Sequence, residues 1–147
     1  MLNKILVAVD GSKASLRATD MAGELAERFD ALLMLIYVVR DMQLPEAMRQ
    51  MADVELVQES RLTTLQKVGE KILEDATARA KDKGASKIDT EVRPGDPAGA
   101  ILRYAADQNV DLIVMGSRGL GEVESLLLGS VSRKVANLAK VGCLTVR

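Results

Sequence analysis

Apolar runs alternate along the chain with segments in which apolar residues recur every three or four positions. Residues 2–9 form a nearly unbroken apolar run, which is typical of a parallel strand covered by helices on both faces. From Ser12, the predicted N-cap, the period changes to that of a helix packing one face on a sheet. The inward positions of this helix are predicted to be Ala14, Ala18, Met21, Ala22, Leu25 and Phe29. A second apolar run, Ala31 to Val39, completes a predicted β-α-β unit.

In the middle of the chain, a segment without a regular hydrophobic period is followed by a long segment with a helical period. Residues 40–53 surround Pro45 without a sustained period, which indicates a loop with room for a short helix. A long helix is predicted from about Val54 to Lys83, and Gly84 follows where a C-terminal glycine is expected. Its predicted inward residues are Leu62, Leu65, Val68, Ile72, Ala76 and Ala80.

Three more strands and two more helices are predicted in the second half. Lys87 to Arg93 alternates like an edge strand, and Pro94-Gly95 predicts a turn. Asp96 before Pro97 is typical of an N-cap followed by proline at the first helical position, and this helix should run to about Gln108. The remaining elements are a buried strand at Asp111 to Met115, a helix at 130–140 facing inward through Val131, Val135, Leu138 and Ala139, and a short strand at Leu144 to Arg147.

The order of these elements predicts the fold class. A β-α-β-α-β-α-β-α-β order with buried strands favours an α/β fold, because helices must then cover both faces of a parallel sheet. We therefore predict a single doubly wound, Rossmann-like domain over residues 1–147, with a five-stranded, mostly parallel sheet and helices on both faces.

Composition removes several classes of function. A net charge of -1 and three aromatic residues give neither a basic footprint nor a stacking platform for nucleic acid. The absence of histidine excludes Ser-His-Asp and Cys-His catalysis and imidazole metal ligands. One cysteine, Cys143, cannot form an intramolecular disulfide and is expected to be buried. With no signal sequence and no apolar run near the roughly 20 residues of a membrane span, the chain is predicted to be cytoplasmic.

Two predicted strand ends carry candidate chemistry. Ligands of doubly wound sheets bind beyond the carboxyl ends of the strands, where the strand order reverses. Asp10 follows the first strand, and the segment 116–119 (GSRG) follows the fourth, where backbone N–H groups can approach an anion. Gly129-Ser130 then opens the last helix, whose N-terminal amides, with the hydroxyls of Ser130 and Ser132, would attract phosphate. The sequence therefore predicts a phosphate cradle, although Asp10 ordering its own loop and purely structural turn glycines remain alternatives.

Two common nucleotide motifs are absent. No GxxxxGK[ST] occurs, so the loop is not a P-loop. Gly119-x-Gly121 is followed by Glu124 where a dinucleotide fingerprint requires glycine or alanine. A common NAD site is therefore excluded as well.

Taken together, these features resemble the ATP-binding class of the universal stress protein family. The resemblance is carried by ILVAVDGS at residues 5–12 and by the spacing Gly116-x2-Gly119-x9-Gly129-Ser130, and it extends over essentially the whole chain. One departure is Gly142, which precedes the terminal strand where many relatives carry proline.

The resemblance implies an adenine nucleotide, ATP or ADP or AMP, bound between strands one and four of an adenine nucleotide alpha hydrolase-like subunit. It implies that Asp10 accepts a hydrogen bond from a ribose hydroxyl, that the backbone of Val38 contacts the adenine edge, and that Gly116 borders the ribose and α-phosphate. The phosphates would be held by Gly119, Gly129, Ser130, Val131 and Ser132. Mg or Mn would be bound through the phosphates with no protein side chain as ligand, and Arg118 would either reach a phosphate or remain solvated. A homodimer through the C-terminal strand, Leu144 to Arg147, is also implied.

The implied function is a nucleotide-responsive stress-response regulator that acts on an unknown protein partner. ATP hydrolysis or autophosphorylation would be slow at most, with Ser130 or Ser132 as the nearest acceptors, because the sequence supplies no evident base or arginine finger. Three alternatives stay open: an interaction module of the same family without nucleotide, an adenylyl- or phosphoryl-transfer enzyme, and a KH-type GxxG clamp on Gly116 to Gly119. The enzymes of similar fold usually carry a histidine-rich signature, and the near-neutral charge disfavours the KH clamp.

Overall fold

The alternation of strands and helices is confirmed. The computed structural model describes residues 1–40, 54–120 and 128–147, with side chains of the second helix described from Val57 onwards. The elements are β1 (Lys4–Ala8), α1 (Lys13–Phe29), β2 (Leu32–Arg40), α2 (Val54–Asp82), β3 (Ile88–Gly95), α3 (Pro97–Asp107), β4 (Leu112–Gly116), α4 (Ser130–Leu138) and β5 (Gly142–Val146).

The strands form a five-stranded sheet in the order β3-β2-β1-β4-β5. All four pairings are parallel, so the α/β, doubly wound fold class is confirmed. The strand order reverses between β1 and β4, where Ile5 lies opposite Leu112 and Ala8 opposite Met115. The carboxyl ends of these two strands are therefore level, and a crevice opens between the loops that follow them.

The core lies in two layers, one on each face of the sheet. On one face Ile5, Val7 and Leu35 pack with alanines of α1 and α2. On the other face Leu6 and Ile36 pack with residues of α3 and α4. Burying one such aliphatic side chain stabilises the fold by roughly 1.5–3 kcal/mol. Ile5, Leu6 and Val7 are completely buried, which explains why the sequence of β1 is an unbroken run of apolar residues.

The side of α1 that meets the sheet is narrower than the sequence predicts. Met21 and Phe29, predicted to face inward, are 42% and 45% exposed. Small residues occupy the contact instead, with Ala18 and Ala22 fully buried. Because short side chains let the helix approach the sheet closely, the larger residues at the edge of the stripe are left outside.

The orientation of α2 differs from the prediction for a related reason. Leu62 and Val68 are 44% and 45% exposed, whereas Gly69 and Leu73 are buried. A Cβ atom at Gly69 would overlap the ring of Tyr37, so the glycine lets α2 lie directly against β2. In α4 the prediction for Leu138 is likewise wrong, since this residue is 58% exposed.

Several predicted boundaries move by a few residues. Pro94 and Gly95 end β3 instead of forming a separate turn, which an edge strand tolerates because its outer N–H groups need no partner. The terminal strand β5 begins at Gly142, two residues before the predicted start at Leu144. Cys143 is half-buried, not buried. Apart from Arg40, the last residue of β2, the predicted loop 40–53 lies outside the described residues.

Candidate functional site

A cavity of about 580 Å³ lies at the carboxyl edge of the sheet, where the strand order reverses. Eight of the nine predicted site residues line it: Asp10, Val38, Gly116, Arg118, Gly119, Gly129, Val131 and Ser132. The ninth, Ser130, is the first residue of α4, is exposed and is not part of the wall. The fold thus brings residues far apart in sequence to one concave surface, the usual form of a small-molecule site.

Asp10 joins the two loops that border the crevice. One carboxylate oxygen, Oδ1, accepts a hydrogen bond from the Ser12 N–H at 2.8 Å. The other, Oδ2, accepts from the Leu120 N–H at 3.3 Å, which ties the loop after β1 to the loop after β4. Asp10 therefore orders the loop that it belongs to, which is the structural alternative that the sequence left open. Because each carboxylate oxygen has a second lone pair, Asp10 can still accept a hydrogen bond from a ligand hydroxyl.

Gly116 and Gly119 both lie where a side chain would meet close neighbours, backbone at Gly116 and the Asp10 carboxylate at Gly119. A Cβ atom at Gly119 would lie 2.7 Å from Asp10 Oδ2, and one at Gly116 would lie 2.8 Å from the backbone of Ala14 and Ser15. Among the residues that the structure describes, the glycines with positive φ are Gly11, Gly84 and Gly95, so neither Gly116 nor Gly119 is explained by a turn conformation that favours glycine. Gly119 keeps the loop close to the Asp10 carboxylate, whereas Gly116 lets β4 contact the start of α1.

The start of α4 differs from the starts of α1 and α3. Ser12 Oγ accepts from the Ser15 N–H in α1, and Asp96 Oδ2 accepts from the Gly99 N–H in α3. The N-cap of α4 is Gly129, which provides no side-chain hydrogen bond. The first-turn amides of α4 therefore receive no acceptor from their cap residue at a helix end that borders the cavity. A helix start of this kind favours an anion through its N–H groups and its dipole.

The hydroxyl of Ser132 is engaged inside the protein. Ser132 is buried, and its Oγ donates to the Ser117 carbonyl at 2.9 Å, with the Gly129 carbonyl also within reach at 3.2 Å. The Ser117 carbonyl also accepts the Gly129 N–H at 2.6 Å. Since a hydroxyl has one proton, Ser132 offers a ligand its backbone N–H rather than its O–H in this geometry.

The charges around the cavity favour an anionic ligand. The residues that line the cavity include three arginines, Arg40, Arg61 and Arg118, and one acidic residue, Asp10. Near Arg40, the Gly99 N–H lowers the pKa of Asp96, with smaller contributions from Lys134 and Arg40, so this carboxylate is ionised at neutral pH. Ionised groups in a concave site attract oppositely charged ligands at a distance, and the wall itself carries more positive than negative charge.

Several cavity residues were not predicted from the sequence. Tyr37, Val39 and Arg40 follow from the rule that strand carboxyl ends line such sites, if the rule is applied to β2 as well as to β1 and β4. Arg61 and Leu65 of α2 had no usable signal, because the hydrophobic period does not tell which helix extends past the edge of the sheet.

Two further findings concern metal and membrane. Within residues 1–40, 54–120 and 128–147, no three or more acidic or cysteine side chains lie close enough together to hold a metal ion. In the same part of the chain, no helix combines the length and the apolar character needed to cross a bilayer.

Comparison with known proteins identifies the family. The model of the universal stress protein family matches residues 1–147. The chain is 38% identical to universal stress protein YxiE of Bacillus subtilis, with full coverage of both chains. The solved universal stress protein UspA from Lactobacillus plantarum aligns over 99% of this chain and 98% of its own, with a TM-score of 0.88 and 26% identity. A universal stress protein solved in complex with cAMP aligns over 99% and 97%, with a TM-score of 0.72 and 30% identity. The chain therefore belongs to the universal stress protein family.

Proposed function

We propose that this protein binds an adenine nucleotide, ATP in the first instance, in the cavity between β1 and β4 and acts as a nucleotide-responsive regulator. The observation that carries the proposal is the meeting of Asp10, residues 116–119 and the start of α4 on one wall. A carboxylate suits a ribose hydroxyl, and the N-terminus of a helix suits a phosphate. The family relative solved with cAMP supports an adenine nucleotide as the ligand class.

Each predicted residue receives a role in this proposal. Asp10 accepts the ribose hydroxyl, and the Val38 backbone contacts the adenine edge. Gly116 borders the ribose and α-phosphate, and Arg118 lies on the wall near the phosphate side. Backbone N–H groups at Gly119, Gly129, Ser130, Val131 and Ser132 hold the phosphates. Mg or Mn would be coordinated by phosphate oxygens, since protein side chains are not needed when phosphates supply the ligands.

The site fits binding better than turnover. The carboxylate of Asp10 already accepts two backbone hydrogen bonds, so it is held between the two loops and is not placed as a free catalytic group. The Ser132 proton is donated to a carbonyl, so this hydroxyl is not a prepared nucleophile. We therefore expect ATP hydrolysis or autophosphorylation far below the 1–100 per second typical of kinases.

A homodimer in the cytoplasm, formed through the C-terminal strand, completes the proposal. The strand β5 lies at one edge of the sheet, and its residues Cys143 to Val146 are only half-buried. An edge strand presents unpaired N–H and C=O groups that a second chain can pair with or cover. Analytical ultracentrifugation should find a dimer, and a monomer at micromolar concentration would remove this part of the proposal.

Calorimetric titration with Mg-ATP tests the ligand. The protein must first be shown free of copurified nucleotide by chromatography after heat release. Binding in the micromolar range near one site per chain, with competition by AMP and cAMP, is the expected result. If verified ligand-free protein bound none of these nucleotides, the glycines would be structural and an interaction module without nucleotide would replace this proposal. Rapid turnover of ATP in the same sample would favour an enzyme instead.

A further inference from the structure

We propose that Arg61 of α2 contacts the nucleobase of the bound nucleotide, with its guanidinium plane against the ring, and so helps to set base preference. This inference rests on the nucleotide-binding function proposed above. It assigns a residue of α2 to a ligand whose other predicted contacts come from β1, β2, β4 and α4.

The position of Arg61 follows from how α2 packs on β2. The helix connects two parallel strands, so it runs against the strand direction and its N-terminal end lies at the carboxyl edge of the sheet. Gly69 sits against Tyr37 near the end of β2. Arg61 is eight residues earlier, about 12 Å further along the helix axis. It therefore lies beyond the edge of the sheet, where it lines the cavity together with Leu65.

Arg61 differs from the other two arginines of the wall. Arg40 lies near the ionised Asp96, and Arg118 takes part in other interactions within the protein. Arg61 is half-buried, and no hydrogen bond or ion pair joins it to any residue that the structure describes. Because no described residue engages it, the guanidinium of Arg61 can form its interaction with a ligand group without first breaking one within this part of the protein.

Arg61 lies far from the segments proposed to hold the phosphates, so the ligand group nearest to it should be the base. The cradle lies at β4 and α4, whereas Arg61 lies over β2, two strands away and hence about 10 Å across the sheet. On the face of the sheet that α2 covers, the cavity is lined by the apolar residues Leu65 and Val39. An aromatic base fits between such walls, and its face attracts a guanidinium. The protein uses this contact elsewhere, since the Arg93 guanidinium lies 4.6 Å from the ring centroid of Tyr104.

The test compares Arg61→Gln and Arg61→Lys with Lys67→Gln, a control that removes one positive charge from an exposed position of the same helix. All three substitutions keep good helix formers. Calorimetry would measure binding of ATP, ADP, AMP and adenosine, and of CTP as a nucleotide with a smaller base. We expect both Arg61 variants to weaken all four adenine ligands by the same factor, about 3- to 10-fold, the range typical of cation–π contacts. The affinity gap between ATP and CTP should narrow, and Lys67→Gln should leave every affinity unchanged.

Other outcomes overturn the inference in distinguishable ways. A loss that grows with the number of phosphates and vanishes for adenosine would assign Arg61 to the phosphates. If both Arg61 variants bound the ligands with wild-type affinity, Arg61 would make no contact with the ligand, and the proposed nucleotide binding would still stand. Failure of the wild-type protein to bind any of these ligands would overturn the proposed function itself, and this inference with it.

Discussion

At each of the two edges of the sheet where strands begin or end, an aspartate accepts two backbone hydrogen bonds, but only one of these aspartates lies at a candidate binding site. At the amino edge, Asp111 Oδ2 accepts the N–H groups of Asn3 and Lys4 at 2.8 and 2.9 Å. At the carboxyl edge, Asp10 accepts the N–H groups of Ser12 and Leu120 at 2.8 and 3.3 Å. Both carboxylates therefore join neighbouring segments of the chain.

What surrounds each aspartate makes the difference. Beside Asp111, the Lys4 ammonium donates to the Gln108 carbonyl, so the polar groups at this edge satisfy one another. Beside Asp10 lie a cavity, glycines in place of side chains and an arginine with no partner among the described residues. A carboxylate that accepts backbone hydrogen bonds is thus no sign of function by itself. The cavity and the three arginines that line it distinguish the candidate site.

The largest effect is expected at Gly119. Gly119→Val should abolish nucleotide binding, because its Cβ would lie 2.7 Å from Asp10 Oδ2 and its methyl groups would enter the space for the phosphates. Gly119→Ala should weaken binding less. Calorimetry with Mg-ATP measures both, and circular dichroism checks the fold. A folded Gly119→Val protein with wild-type affinity would place the ligand elsewhere.

Asp10→Ala should weaken binding of ATP by about 10- to 150-fold, the equivalent of 1.5–3 kcal/mol for a hydrogen bond to a charged group. The matched control is Asp111→Ala, which also removes a carboxylate that accepts two backbone N–H groups. This control should bind ATP normally. An equal loss of affinity in the two variants would mean that Asp10 acts only through the stability of the fold.

Gly116→Ala should lower the free energy of unfolding by about 1–3 kcal/mol, because overpacking against backbone cannot be relieved by side-chain rotation. Its Cβ would lie 2.8 Å from the backbone of Ala14 and Ser15. The control is Gly142→Ala, whose Cβ would lie 3.5 Å from Leu112 and should change stability little. Urea unfolding measures both. Equal stability of the two variants would show that the start of α1 moves aside.

The smallest effect is expected at Asp111. The N–H groups of Lys4 and Asn3 lower its pKa in the folded state. Its stabilising contribution is therefore complete above the ordinary carboxyl pKa and is lost as the pH falls through the lowered value. Acid unfolding of Asp111→Asn should show a shallower pH dependence than that of the wild-type protein. Identical pH profiles would mean that these hydrogen bonds are equally present in the unfolded chain.

The sequence predicts the fold well where burial is complete. The unbroken apolar runs of β1, β2 and β4 identified the strands, because both faces of these strands are covered. The prediction of buried helix residues was wrong at the borders of the contact faces. Periodicity indicates which side of a helix faces the sheet but not how wide the buried face is, and five residues predicted to face inward are exposed: Met21, Phe29, Leu62, Val68 and Leu138.

The residues of the candidate site likewise fall into those that the sequence predicted and those that it did not. Asp10, Gly116 and Gly119 were found because they lie at or shortly after the end of a strand, and Gly129 because it directly precedes a helix. The contribution of α2 was not found, since it depends on where Gly69 meets Tyr37 and how far the helix then extends. The internal bond of the Ser132 hydroxyl also had no signal, because its acceptor, the Ser117 carbonyl, is a backbone group.

The Ser117 carbonyl ties the end of β4 to the start of α4, since it accepts both the Gly129 N–H and the Ser132 hydroxyl. The spacing between these two segments is thus set by the protein's own hydrogen bonds before any ligand arrives. A site arranged in advance in this way spends little of its binding free energy on ordering itself, so its affinity depends mainly on the contacts that the ligand makes.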